Sequence, residues 1–176
     1  MSAMFWSLTL LYALGFGGAF VVLVLAGQLV ARDALLHDYP PAIQQRYGPQ
    51  SARGRRVARW TSAGTALLLV ATPLLGMLSL AHHTGAVPGF WDGFVFGTVL
   101  FATLTAADLV IIDWWLFCTP RSRLFVLPGT EGMPEYTDRA FHLRVLVPAP
   151  VPWPLLAIPG YGLAVGGAAA LAGVLL

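Results

Sequence analysis

Four long apolar runs, separated by two polar intervals and one short gap, set the pattern of this chain. They extend from about Phe5 to Ala31, Trp60 to Ala81, Phe90 to Phe117 and Pro154 to Leu176. Each exceeds the ~20 residues a helix needs to cross ~30 Å of hydrocarbon at ~1.5 Å per residue. The pattern predicts an all-α integral membrane protein: a four-helix bundle in a single membrane domain, residues 1–176, with long loops over 32–59 and 118–153. The first run has no basic residue before it and no small-x-small site after it, and its apolar core is too long for a cleavable signal.

Composition agrees with this reading. Of 176 residues 57% are hydrophobic and 10% charged, with a mean hydropathy of +0.74, whereas soluble domains carry about 25% charged residues. The charges add orientation. All ten basic residues are arginines. Arg32, Arg46, Arg53, Arg55, Arg56 and Arg59 lie in the first loop; Arg121, Arg123, Arg139 and Arg144 lie in the second. The positive-inside rule then places both loops in the cytoplasm and both termini outside, as in a multi-pass protein of the inner (plasma) membrane. A net charge of +2 excludes a nucleic-acid binder. The single cysteine, Cys118, excludes an internal disulfide.

The third run contains the residues that do not belong in lipid. Asp92 beside Trp91 and Asp113 beside Trp114 and Trp115 fall at the two interfaces. Asp108 lies deeper, ~7 Å below the inner interface, where an ionised carboxylate costs at least ~2.5 kcal/mol. Its side chain is too short to reach water and therefore faces protein or a wet cavity. On an α-helix Asp108 and Asp113 stand about 140° apart, with Thr105 and Thr98 in the arc between. That makes a broad polar face on the third helix rather than a tight carboxylate pair.

The loops supply further candidates. Asp38-Tyr39-Pro40-Pro41 reads as a helix stop and turn, Ala42 to Tyr47 as a short helix, and Ser51 to Arg59 as a basic stretch suited to topogenesis and to anionic lipid headgroups. In the second loop Pro128-Gly-Thr-Glu-Gly132 is a turn, followed by helical spacing from Glu135 to Arg144. There Asp138 and His142, four apart, resemble a carboxylate-oriented imidazole, a spacing that also suits a surface pair. Glu131, Glu135, Tyr136, Asp138 and His142 form the polar concentration beneath Asp108.

Prolines at 148, 150, 152 and 154 forbid a helix until Pro154, and Pro159-Gly160 predicts a kink or a delayed start. Gly162-Leu-Ala-Val-Gly166 is a GxxxG face that suits packing inside the bundle, against a second copy or against a larger membrane partner. The adjacent His82 and His83 make a poor metal site, and no metal is expected.

The segments DYPPAIQQRYG (Asp38 to Gly48) and DWWLFCTPRSRLFVLPGTEGMPEYTDRAFH (Asp113 to His142) resemble a family of small four-span membrane proteins predicted in many bacteria and some archaea. The Pro-Gly-Thr-Glu-Gly turn is the most recognisable segment. The resemblance implies membrane location and four-span topology and transfers no reaction. The proline-rich approach to the fourth span departs from the plainer family segment.

Three functions fit these residues, and the sequence leaves open whether the protein is an enzyme at all. The first is an intramembrane acid–base enzyme taking a lipid-like or isoprenoid-like substrate from the cytoplasmic leaflet. Its catalytic candidates are Asp108, Asp113, Glu131, Asp138 and His142; Thr105, Trp114, Trp115, Phe117, Tyr136 and Trp153 are its substrate-binding candidates. The second is a non-catalytic subunit docking on a membrane partner. The third is a small proton or cation conduit, for which polar groups are sparse outside Asp108. No cofactor can be named.

Overall fold

A computed structural model describes residues 1–119 and 124–175. Arg121, Arg123 and Leu176 lie outside the described residues. Those that are described form helices and turns with no strand, and four of the helices are long and apolar enough to cross a membrane. α1 runs Ala3–Val30, α2 Pro41–Tyr47, α3 Ala52–Thr84 and α4 Phe90–Ala107. α4 continues without a break into a π-helical segment, Asp108–Phe117; α5 is Arg139–Leu146 and α6 Trp153–Leu175.

Local chemistry sets these limits. Ser2 and Ser51 cap α1 and α3, their hydroxyls accepting from Phe5 N and Gly54 N at 3.2 and 2.9 Å. Pro41 opens α2 and Gly48 closes it at φ 91°. Asp92 reaches back to accept from Gly89 N at 3.1 Å, so this carboxylate is a cap on α4. α3 starts eight residues before the apolar run, because its limit is the Ser51 cap rather than hydropathy. At 33 residues it is ~50 Å long, so its arginine-bearing first turns extend past any hydrocarbon layer. α6 starts at Trp153 and carries Pro159 within it, so the expected delay at Pro159-Gly160 does not occur.

Glycine decides how α4 and α6 meet. A Cβ on Gly93 would lie 2.9 Å from the Cα of Gly166, and one on Gly97 would lie 3.2 Å from the Cα of Gly162. The GxxxG of α6 thus meets a second one, Gly93-Phe-Val-Phe-Gly97, and this face is used inside the bundle. Away from the loops the core is mainly apolar, built on Phe5, Leu8, Phe16, Leu80, Phe96 and Leu100.

At the loop-bearing end the two loops pack on each other around Tyr39, Ile43, Phe125, Leu127 and Tyr136. Tyr39 Oη donates to Phe125 O at 2.9 Å and lies 3.1 Å from the amide of the fully buried Gln28. Leu127 N donates to Tyr136 Oη at 3.0 Å, Tyr136 Oη lies 2.7 Å from Thr130 Oγ1, and Thr130 Oγ1 donates to Leu127 O at 2.7 Å. Tyr136 donating to Thr130 completes a closed ring of bonds. Arg46 Nε ties α2 to Gly129 O at 3.2 Å. The tyrosine of DYPP therefore locks one loop to the other, and the threonine of PGTEG closes the second loop on itself.

Candidate functional site

Above this locked floor lies a cavity of about 640 Å³ between α1, α3, the π segment and α5. A second, of about 260 Å³, lies between α4, α5 and α6. Asp108, Asp113, His142 and Val145 line both, so these residues form the partition between the two cavities. The larger adds His37, Asp38, Thr61, Ser62 and Thr65 to its wall. The smaller is mostly apolar, with Phe101, Leu104, Leu109 and Trp153 around Thr105.

The π segment explains how two aspartates reach one place. Its hydrogen bonds run from i to i+5, as in Cys118 N to Asp113 O at 2.9 Å. Residues five apart are then drawn to one face, instead of the ~140° separation of an α-helix. Asp108 and Asp113 share a site because of this turn, which α-helical geometry does not anticipate.

α5 brings in the imidazole. His142 is 5% exposed, and its Nδ1 lies 3.1 Å from Asp113 Oδ1. Phe117 packs edge-on against the ring, with centroids 4.9 Å apart. A carboxylate at this distance favours the proton on Nδ1, and the neutral ring then carries its lone pair on Nε2. Nε2 is buried and has no hydrogen-bond partner among the described residues. The anticipated pairing of His142 with Asp138 is corrected here. Asp138 is the N-cap of α5, its Oδ1 accepting from Phe141 N and its Oδ2 from Arg144 Nη2, each at 3.0 Å. The Phe141 amide, with Arg144, holds its carboxyl below the usual range. A capping carboxylate is spent on the backbone of its own helix and is not free to orient a side chain four residues on.

The other candidates divide. Thr105 and Trp153 line the smaller cavity, although the Thr105 hydroxyl also donates to Phe101 O at 2.9 Å. Phe117 backs His142 from the core side. Tyr136 belongs to the loop lock and lines neither cavity. Glu131 is exposed in its turn, and Trp115 is 65% exposed. Glu135 and Trp114 each bury a polar atom without a partner among the described residues, Oε2 and Nε1, and line neither cavity.

His37, Asp38 and Ser62 were not anticipated. The polar triplet Thr61, Ser62 and Thr65 at the start of the apolar run of α3 was the available signal. Asp38 is exposed by area yet closely surrounded at the cavity wall. Burial, then the charge of Asp113, raises its carboxyl above the usual range, against the opposing pull of His37 and His142. Cys118 is buried, and its thiol is pushed up to about 11, which disfavours a thiolate nucleophile. Among the described residues no group of three or more His, Cys, Asp or Glu side chains is placed to hold a metal ion. No family model matches the chain, nor does any curated protein or solved structure.

Proposed function

We propose that this is a multi-pass inner-membrane enzyme of the small four-span family its loop motifs resemble, moving protons on a lipid-like substrate at the cytoplasmic leaflet. His142, oriented by Asp113, is the base: Nε2 takes a proton from the substrate. The carboxyl of Asp108 on the same partition returns one, and passage of the proton from His142 to Asp108, directly or through solvent, restores both groups and closes the cycle. The apolar part of the substrate occupies the smaller cavity, and its polar part faces Asp38 and the threonine wall.

The observation that carries this reading is the buried imidazole with one nitrogen 3.1 Å from Asp113 and the other unpartnered, at a partition between a polar and an apolar cavity. A structural histidine would be expected to have both nitrogens satisfied. In the opposite half of the bundle Phe16, Phe96 and Leu100 pack together, and the hollow of about 330 Å³ beside Phe16 is lined by apolar side chains apart from Tyr12 and Thr72. This favours a one-sided enzyme over a conduit, which needs polar groups through the full thickness.

The test uses purified protein in liposomes of bacterial total lipid extract, incubated in D2O, with lipids profiled by mass spectrometry. Wild type should convert a lipid species that His142→Gln leaves untouched, with equal helix content by circular dichroism. Identical profiles for the two folded proteins would falsify the proposal.

A further inference from the structure

Another hollow, of about 490 Å³, lies along the first turns of α3, lined by His37, Gln50, Arg55, Arg56 and Arg59 among others. His37 and Ala58 also line the 640 Å³ cavity, so the two hollows adjoin. Positions 55, 56 and 59 fall on one side of α3 at helical spacing. The ion pairs among the described residues are His142–Asp113 and Arg144–Asp138, so the three guanidinium groups face the hollow with no carboxylate within ion-pair distance. The N-terminus of α3 is already taken: Asp33, 4% exposed, accepts from Ser51 N at 2.6 Å. Trp60, 72% exposed, follows Arg59 directly, and an exposed tryptophan at the start of an apolar run marks headgroup depth.

We infer that this arginine hollow binds the phosphate headgroup of a lipid that runs through the adjoining cavity, past the partition, with its apolar end in the smaller one. The inference rests on the lipid-site reading above and deepens it by naming the headgroup. A phosphate offers acceptor oxygens in several directions, and guanidinium groups match it with paired N–H donors. A zwitterionic headgroup would bring its own cation to the same arginines and be repelled. Arg55 donates to Gln50 O and so holds the loop; Arg56 and Arg59 are the residues to alter.

Native mass spectrometry of the detergent-solubilised protein with added phosphatidic acid or phosphatidylcholine measures this. Wild type should prefer phosphatidic acid, and Arg56→Gln/Arg59→Gln should weaken that binding roughly tenfold or more. Arg53→Gln, one charge removed from the same turn but outside the hollow, should change it by less than about threefold. Equal binding of phosphatidylcholine, undiminished binding by the double variant, or equally tight binding of inorganic pyrophosphate alone would each overturn the assignment. His142→Gln should keep phosphatidic acid binding. If lipid conversion proves independent of His142 while the arginine effect holds, the headgroup site stands and the catalytic reading falls.

Discussion

A buried ring nitrogen with no partner costs a folded protein about 1–3 kcal/mol, and His142 Nε2 is such a nitrogen. Asp113 fixes which nitrogen that is. Asp113→Asn should therefore leave helix content intact and lower lipid conversion by roughly 10²-fold or more, read in the D2O assay. Asp38 gives a second prediction at this scale. Its carboxyl is raised in the fold, so the folded chain holds a proton that the unfolded chain has already lost. Stability then falls as pH rises from the ordinary carboxylate range, ~3.9, through the raised value. Asp38→Asn removes that loss. The variant should melt higher than wild type at pH 8, and the difference should close at pH 3. Only part of this site was legible in the sequence. Asp108 announced itself by the cost of a carboxylate in an apolar run. Asp38 and His37 did not, since loop residues reach a cavity through tertiary folding that no local spacing records.

Among the elements, the π segment is the one whose geometry sets the chemistry. Inserting an alanine after Val110, a 52% exposed residue, should leave Asp108 and Asp113 six residues apart and turn Asp113 away from Asp108 by roughly one residue, ~100°. The expected result is unchanged circular dichroism with lost conversion; retained conversion would show that the turn is incidental. The helix ends carry sequence signals, the Ser51 cap, Pro41 and Gly85 at φ 66° after α3, although the apolar run alone puts the start of the second span at Trp60. The π winding could not be read beforehand, because its residues, DLVIIDWWLF, carry no glycine or proline to mark it. The glycine seam offers a paired test. Gly93→Ala puts a methyl against the backbone of α6 and should cost about 1–3 kcal/mol. Gly167, with nothing within 4 Å of an added Cβ, should accept alanine with a gain of up to ~1 kcal/mol. Thermal unfolding in detergent distinguishes the two.

Across the whole molecule, hydropathy predicted the number of long helices and arginine placement predicts their threading. An alkaline phosphatase fusion at the carboxyl end should be active and a green fluorescent protein fusion there dark; the opposite pattern would invert the topology. What hydropathy could not supply is the division of labour along the bundle, with a mainly apolar half and a half whose cavities are lined by carboxylates and an imidazole. That division follows from which side chains meet, phenylalanines on glycine in one half and threonines facing aspartates in the other.

The seam has a mechanical corollary. α4 and α6 are fastened backbone to backbone at Gly93, Gly97, Gly162 and Gly166, while the smaller cavity parts them beside Asp108 and Trp153. Two rods pinned at one end behave as a clothes-peg. Any bulkier guest must be admitted by levering the jaws at Trp153 about a fulcrum near Gly97, so the tolerated girth of a tail is set by stiffness several turns from where it binds.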